Sequence, residues 1–464
     1  MVIKLLNINE IVKASKGVLI NGNNNVIPKD YKIDSREIEK KDFFIPLVGE
    51  NVDGHKYIID TVKKGAIGFF ISKKCLECEN IIQESKRINS DVIIIKVDDC
   101  LTALCDIAEY NRNKHIDIPV VAITGSVGKT STRQMIASVL SEKYNLLVTE
   151  RNYNSVIGLP IMLLKLDKQE VCVLEAGINH IGEMDILSKI LKPDICVITN
   201  IGNAHIGIMG SKDNTFKEKL KITNNIKGMK KLIVNSDDEY LSKIKSRNFE
   251  IIGYSLNNIN NKIIDKDSIK FNTSIYNDNY TITINQIGNH NIQNALSAIK
   301  VGELFGLTEK EIIDGVAKYK NFSGRLETKI IKGNIILIDD TYNASIDSMK
   351  SGLVTVNELE GKRKIAVLGD MLELGEFSQK IHLEVGEIFK TVSYDILYTL
   401  GNEAKNIALN AKKYMKNKKI ISFDSIEELE ENLKLEMKSG DIIYFKASNG
   451  MKFGDIIKKL QNDN

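Results

Sequence analysis

The chain has 464 residues, which is too long for one hydrophobic core, and its length predicts about three domains. It is 43% hydrophobic and 27% charged, as is typical of a globular protein. The formal net charge of +3 is near neutral and the lysines are scattered, so no nucleic-acid partner is expected. Because no apolar run could cross a membrane and the N-terminus lacks a signal-peptide core, we expect a cytoplasmic protein without membrane insertion.

The first 98 residues or so mix short strands and helices. We expect strands at 31–36, 42–47, 67–71 and 92–97, followed by a linker helix over about 100–113. Cys75 and Cys78 form a lone C-x-x-C pair, which could be half a zinc site or a redox pair. Scattered thiols in a reducing compartment are the simpler interpretation.

A phosphate-binding loop is predicted at residues 123–130, which read Ile-Thr-Gly-Ser-Val-Gly-Lys-Thr between an apolar strand and a helical pattern. Backbone N–H groups of such a turn and of the helix start face an anion. Lys129 would neutralise the outer phosphates, and the Thr130 hydroxyl can bind Mg²⁺. The motif is incomplete because Ile123 stands where the first glycine belongs. The strand–turn–helix context still predicts that the protein uses ATP or GTP.

The rest of the chain alternates strands and helices. Short apolar runs at 171–174 and 195–198 indicate parallel strands buried on both faces, and residues near 266–287 indicate a hairpin insertion. A helix is expected over 289–305. Four further apolar runs, at 335–338, 365–368, 396–400 and 442–445, alternate with helical patterns and predict a doubly wound α/β domain.

Polar side chains follow several of these strands, at the edge where open parallel sheets bind ligands. Glu175 is placed to hold the Mg²⁺ that Thr130 also contacts, although it could be an ordinary strand-end residue. His205 closes another strand-to-loop junction and could bind metal, orient substrate or cap a turn. Three lysines follow on a predicted helix, and their spacing singles out none of them: Lys217, Lys219 and Lys221.

Further candidates lie later in the chain. Asn291 suits a helix cap, whereas Asn294 lies deeper in its helix and could pair with an adenine edge. Arg325 could reach a γ-phosphate as domains close, or could be a surface arginine. Asp340, next to Asp339, could bind ribose hydroxyls or metal, or could be a solvated acid in a turn.

Together these motifs resemble the Mur ligase family, ATP-dependent enzymes that form amide bonds in peptidoglycan synthesis. The resemblance covers nearly the whole chain, through segments 34–36, 42–55, 124–130, 152–154, 157–160, 175–177, 199–205, 288–294, 324–327, 340–344 and 367–375. It implies an α/β fold of three domains: a small UDP-binding domain at 1–98, a central P-loop parallel-sheet ATPase domain at 99–322 and a C-terminal Rossmann-like doubly wound domain at 323–464. Residues 367–375, with Asp-Gly-His at 53–55, indicate the branch that adds D-alanyl-D-alanine to UDP-N-acetylmuramoyl-tripeptide.

The family's roles carry over to matching positions. The catalytic set would be Lys129, His205, Lys219 and Arg325. ATP would be bound by Gly125, Ser126, Val127, Gly128, Lys129, Thr130, Asn294 (adenine), Arg325 (γ-phosphate) and Asp340 (ribose). The UDP-muramoyl peptide would contact Asp34, Ser35, Arg36, Asn152 and Asn154. Two Mg²⁺ ions would be held by Thr130, Glu175, His205 and a carbamylated Lys219.

The implied reaction has two steps: ATP phosphorylates a peptide carboxylate, and the amine of the incoming dipeptide attacks the acyl phosphate. A monomer is expected, whose third domain closes to complete the site. The chain departs from the family pattern at Ser155, Lys221, Ser345, Ile346 and Asn449. These departures leave open a paralogue that adds another amino acid or dipeptide. A P-loop regulatory protein that ligates nothing is the alternative from another class.

Overall fold

The computed structural model describes residues 5–49, 52–150, 152–202, 206–265, 267–320 and 324–462. The chain divides into two compact units. The first consists of Met1–Ala122, Tyr144–Cys196 and Lys221–Lys230, and the second of Ile123–Lys143, Val197–Leu220 and Lys231–Asn464. The predicted domain bounds after residues 98 and 322 stay a prediction, and residues 322 and 323 lie outside the described residues.

The N-terminal region is a mixed sheet with helices. Its elements are α1 Ile8–Ser15, β1 Val18–Asn21, β2 Tyr31–Lys32, β3 Phe43–Phe44, α2 Ile58–Lys63, β4 Gly68–Ser72, α3 Cys78–Ile88, β5 Ile93–Val97 and α4 Cys100–Lys114. The strand order is β1-β5-β4-β3-β2, and every neighbouring pair is parallel except β1 with β5.

Two predicted strands of this region are much shorter than expected. β2 ends at Lys32, just before a turn in which Asp34 Oδ1 accepts the N–H of Arg36 at 2.9 Å. β3 ends at Phe44, two residues before Pro46, which has no N–H to donate to a ladder. The chain between β2 and β3 is therefore a loop, and it carries the first predicted substrate residues.

The central region supplies the predicted phosphate loop. Its elements are β6 Val120–Thr124, α5 Lys129–Leu140, β7 Leu146–Val148, α6 Gly158–Leu164, β8 Val171–Glu175, α7 Glu183–Leu191, β9 Ile195–Ile198, α8 Ile206–Met209, α9 Lys212–Leu220, β10 Lys231–Asn235, β11 Glu250–Tyr254, β12 Asn260–Ile264, β13 Ile269–Ile275, β14 Asp278–Ile284, α10 Asn289–Leu304 and α11 Glu309–Lys318. In the first unit β7 pairs with β8 in parallel, and in the second unit β10 pairs with β11 in parallel.

The predicted hairpin insertion is larger than expected. β13 and β14 form the hairpin, and β12 adds an antiparallel third strand on the β13 side. β12 is almost fully exposed, so it has no apolar run that would have revealed it. The alternation of β13, which buries every second residue, is what made the hairpin predictable.

The C-terminal region is a doubly wound sheet, as predicted. Its elements are β15 Glu327–Ile331, β16 Ile335–Asp339, α12 Ile346–Asn357, β17 Arg363–Gly369, α13 Ser378–Gly386, β18 Ile396–Leu400, α14 Lys405–Ala411, β19 Lys419–Phe423, α15 Ile426–Glu436, β20 Asp441–Lys446 and α16 Phe453–Asn462. The order is β15-β16-β20-β17-β18-β19, with only β15 antiparallel. Helices α12, α13 and α14 pack in one apolar core, and α15 and α16 pack in another. Across the described residues no helix is both long and apolar enough to cross a membrane.

Candidate active site

The predicted phosphate loop joins β6 to α5 through two glycines with positive φ. Gly125 has a φ of +151°, and Gly128, at the N-cap of α5, has a φ of +80°. The Lys129 ammonium folds back over the turn and donates to the carbonyls of Gly125 at 3.0 Å and Ser126 at 3.3 Å. The first turn of α5 supplies the amides that an anion would bind, and Thr130 lies there, 9% exposed.

A neighbouring segment, residues 199–202, holds this turn through hydrogen bonds. This contact was not predicted from the sequence. Asn200 accepts the N–H of Ser126 through its carbonyl and that of Val127 through Oδ1, both at 3.0 Å. The Thr199 hydroxyl donates to the carbonyl of Val127 at 2.6 Å. Two turn amides that were expected to face the phosphate are therefore bound to Asn200. The signal was available, since both residues stand in the segment 199–205.

Lys219, at the end of α9, is buried with only 3% of its surface exposed. Burial lowers the pKa of its ammonium well below the ordinary value, and the nearby Lys129 lowers the pKa further. Burial thus distinguishes this lysine from Lys217 on the same helix, which is exposed. Sequence spacing could not make that distinction. His205 lies outside the described residues.

Asn294 lies in α10, beside the phosphate loop. Its Oδ1 accepts the Thr132 hydroxyl of α5 at 2.8 Å, and it lies 3.8 Å from the point a Cβ on Gly128 would occupy. Its Nδ2 donates to Asn291 Oδ1 at 3.3 Å. Asn291 is not the helix cap that was predicted: it lies inside α10, and its Nδ2 donates back to the carbonyl of Ile287 at 2.7 Å. The adenine contact of Asn294 stays a prediction.

Glu175 ends β8 in the first unit and is 2% exposed. Its Oε1 accepts Asn154 Nδ2 at 2.8 Å, and its backbone N–H donates to the Thr149 hydroxyl at 2.8 Å. The structure thus brings together a predicted metal ligand and a predicted substrate residue. Asn154 orients the carboxylate, a contact that sequence reasoning did not anticipate, whereas Asn152 is exposed.

The predicted UDP-binding residues form a compact turn in the first unit. Arg36 Nη2 pairs with Asp34 Oδ2 at 2.6 Å, and Arg36 Nε donates to Asp34 Oδ1 at 2.9 Å, although the Arg36 side chain is 86% exposed. This pairing lowers the pKa of Asp34 to about 2. The carbonyl of Ser35 accepts Lys64 Nζ at 2.8 Å. Because Asp34 neutralises the charge of Arg36, the turn offers a ligand hydrogen-bonding groups but little net positive charge.

Arg325 and Asp340 lie at the start of the C-terminal region. The Arg325 guanidinium stacks over the Tyr342 ring, 4.2 Å from its centroid. Asp340 is not the solvated acid of a turn: its Oδ2 accepts Lys446 Nζ at 2.6 Å and the Tyr444 hydroxyl at 2.9 Å. Neither donor was predicted to be a partner of Asp340, because both lie about a hundred residues away in the sequence.

His290, the second residue of α10, faces this group. Burial lowers its pKa to about 4, with Lys446 and Arg325 acting in the same direction and Asp340 opposing them. The pKa of this histidine is lower in the folded than in the unfolded state, so its full contribution to stability is present above the unfolded pKa of 6.5. That contribution is lost as the pH falls from 6.5 towards 4. We therefore expect acidification over this range to cost about 3 kcal/mol through His290. Urea unfolding at pH 7.5 and 4.5 should show a smaller loss in His290→Gln; an equal loss would contradict the assignment.

Three of the residues that depart from the family pattern make local contacts in the structure. Ser155 Oγ accepts the N–H groups of Ile157 and Gly158 at the start of α6, each at 3.3 Å. Ser345 caps α12 in a capping box with Ser348, which leaves Ile346 at the first helical position. Lys221 pairs with Asp185 at 2.8 Å. Asn449 is exposed.

No group of three or more His, Cys, Asp or Glu residues that could hold a metal occurs in the part of the chain that the structure describes. The six cysteines are free thiols, so the lone C-x-x-C pair forms no disulfide. A metal bound by few protein oxygens, with phosphates and water completing its shell, remains compatible with this donor set.

A glycine-bearing loop between a buried strand and a helix, with a buried lysine beside it, defines a P-loop α/β nucleotide-binding protein. Models of the Mur ligase middle domain and of the Mur ligase glutamate ligase domain match residues 123–302 and 324–449. The chain belongs to the Mur ligase family. It is an ATP-dependent enzyme that forms amide bonds in peptidoglycan precursor synthesis, and the predicted three-domain fold class is confirmed.

Individual relatives are similar over nearly their whole length. The UDP-N-acetylmuramoyl-tripeptide--D-alanyl-D-alanine ligase of Bacillus subtilis is 32% identical over 459 residues, 98% of each chain. MurF from Acinetobacter baumannii is 26% identical and matches the whole of both chains with a TM-score of 0.88. MurF from Thermotoga maritima, solved with ADP, is 26% identical, with a TM-score of 0.81 over 93% of this chain and 97% of that one.

Proposed function

We propose that this enzyme joins D-alanyl-D-alanine to UDP-N-acetylmuramoyl-tripeptide, with ATP converted to ADP and phosphate. The observation that carries the proposal is the whole-length similarity to a ligase of that name, 32% identical over 98% of each chain. The proposed assembly has three domains: residues 1–98 for the UDP-sugar peptide, 99–322 for ATP and 323–464 closing over the nucleotide. Since one chain carries every proposed site residue, we propose that the enzyme acts as a monomer. We also propose that it is located in the cytoplasm.

The proposed reaction must overcome like-charge repulsion. A carboxylate oxygen of the tripeptide attacks the γ-phosphorus, and the bond to the bridging oxygen breaks as ADP leaves. Lys129 and Arg325 offset the negative charge of the two reactants. The dipeptide amine then attacks the acyl carbon and loses a proton, and phosphate leaves to give the amide.

Mg²⁺ is part of this proposal. The Thr130 hydroxyl and the Glu175 carboxylate, which Asn154 orients, are oxygen donors of the kind that Mg²⁺ prefers. When bound, the ion would stabilise charge on the transferring phosphoryl group. Lys219 and His205 complete the proposed ligand set. A neutral Lys219 amine that adds CO₂ and releases a proton becomes an anionic carbamate, and burial of this lysine favours the neutral amine.

The substrate assignment predicts that phosphate release requires the UDP-muramoyl tripeptide and D-alanyl-D-alanine together. A coupled phosphate-release assay with each substrate omitted in turn measures this. L-alanyl-L-alanine is the matched control, because it has the same composition and the opposite configuration, and we expect it to be at least about tenfold poorer. Phosphate release that ignores D-alanyl-D-alanine and responds to another amine would instead identify the paralogue.

A further inference from the structure

The Asp340 carboxylate is held by two donors from the neighbouring strand. Asp340 directly follows β16, and its backbone N–H donates to the carbonyl of Phe445 at 3.0 Å. Tyr444 and Lys446, on either side of Phe445 in β20, point to the same face. Both donate to Oδ2, at 2.9 Å and 2.6 Å. The strand pairing itself therefore brings both donors to one oxygen.

All three N–H donors of the Lys446 ammonium are used in this turn. Besides Asp340 Oδ2, its ammonium donates to the carbonyls of Asp340 at 3.3 Å and Asn343 at 3.1 Å, which accounts for three donors. Its side chain is 3% exposed. Burial lowers the pKa of Lys446 and the Asp340 carboxylate opposes that shift, so the two charges depend on each other.

The surrounding structure encloses one carboxylate oxygen more than the other. α12 passes so closely at Gly352 that a Cβ there would lie 1.8 Å from the Tyr444 hydroxyl and 3.2 Å from Asp340 Oδ2. Within the described residues, Oδ1 accepts no hydrogen bond, and the Asp340 side chain keeps 12% of its surface exposed. His290 at the start of α10 interacts electrostatically with Asp340, Lys446 and Arg325. Asp340 and the proposed nucleotide residue Arg325 thus both lie near His290.

We propose that Lys446 and Tyr444 are positioning residues that hold Asp340 Oδ2, so that Oδ1 is presented to the ribose hydroxyls of the nucleotide. The proposal rests on the proposed function and on the expectation, from the family resemblance, that Asp340 contacts ribose. Lys446 acts through Asp340 and does not touch the nucleotide. Its loss should therefore remove selectivity for the ribose hydroxyls and leave the phosphate contacts in place.

The experiment measures equilibrium binding of ADP and of 2′,3′-dideoxy-ADP by calorimetry. We expect the wild-type enzyme to prefer ADP by about tenfold or more, as for hydrogen bonds to a charged acceptor. In Lys446→Met and in Asp340→Asn this preference should fall to about twofold or less. The double variant should fall no further, because both changes remove the same interaction.

A second Lys–Asp pair, between Lys329 of β15 and Asp339 of β16, supplies a matched control. Lys329 Nζ donates to Asp339 Oδ2 at 3.1 Å, in a second Lys–Asp pair one residue before Asp340. Lys329→Met should keep the full preference for ADP. Tyr444→Phe removes one donor and keeps the ion pair, so an intermediate ratio is expected.

A merely structural role of Lys446 would weaken both nucleotides equally and leave the ratio unchanged, which would overturn the proposal. A wild-type enzyme that binds both nucleotides equally would overturn it as well. If Lys446→Met does not fold, Lys446→Arg carries the test, since it keeps the charge and displaces the donors: a reduced ratio supports the proposal and a wild-type ratio overturns it. Because binding needs no turnover, failure of the ligase assay with an intact ADP preference would separate the two proposals.

Discussion

Replacing Lys219 by alanine is expected to lower phosphate release about a thousandfold, and formate or acetate should restore part of the loss. The reason is the environment of the amine. Burial removes water from the ammonium and the nearby Lys129 repels it, so both favour the neutral amine that can attack CO₂. A carbamate formed there would supply an anionic oxygen for a metal ion, and loss of one such electrostatic contact costs two to three orders of magnitude in rate. Short carboxylic acids can enter the space left by the side chain and supply the same kind of oxygen.

Lys217 provides the control for this experiment, because it lies on α9 like Lys219 but is exposed. Lys217→Ala should keep activity close to that of the wild type, and added acids should not change it. Activity is measured by coupled phosphate release with saturating substrates, with and without the acids. Full activity of Lys219→Ala without any acid would contradict the assignment of this lysine to the metal site.

Replacing Gly125 by alanine is expected to weaken ADP binding by about a hundredfold, close to 2.7 kcal/mol. A Cβ at this position would lie 1.9 Å from Thr199 Oγ1, and the φ of +151° disfavours any L-residue with a side chain. Thr199 cannot simply move away, since its hydroxyl holds the carbonyl of Val127 at 2.6 Å. The clash therefore displaces the turn that places the amides and Lys129 around the phosphates.

A substitution at Gly306 is the control that separates the steric clash from backbone strain. It also has a positive φ, of +64°, but a Cβ there meets no atom within 4 Å. Gly306→Ala should lower stability slightly and leave ADP affinity unchanged, as measured by thermal unfolding and calorimetry. Wild-type ADP affinity in Gly125→Ala would show that the loop at 123–130 does not hold the phosphates.

Local patterns predicted the buried parts of the fold well. β9 and β18 have the predicted bounds, and α5 begins at Lys129 as its helical pattern indicated, because continuous apolar runs and a glycine turn are visible in a short window. Two strands of the C-terminal sheet that were missed, β15 and β19, are its edges and are mostly half-exposed or exposed. An edge strand is stabilised by a neighbour on one side only, so its sequence need not carry an apolar run.

The features of the candidate site also divide into those that the sequence predicted and those that only the tertiary structure showed. The phosphate loop, the acid that ends β8 and the family membership followed from the sequence, since each depends on residues close together in the chain or on ordered motifs. Whether a polar residue is buried, and what it bonds, followed only from tertiary structure. Burial of Lys219, the bond from Thr132 to Asn294 and the hold of Lys446 on Asp340 join residues from separate elements. These contacts exist because parallel strands and packed helices bring distant residues together, which no local pattern records.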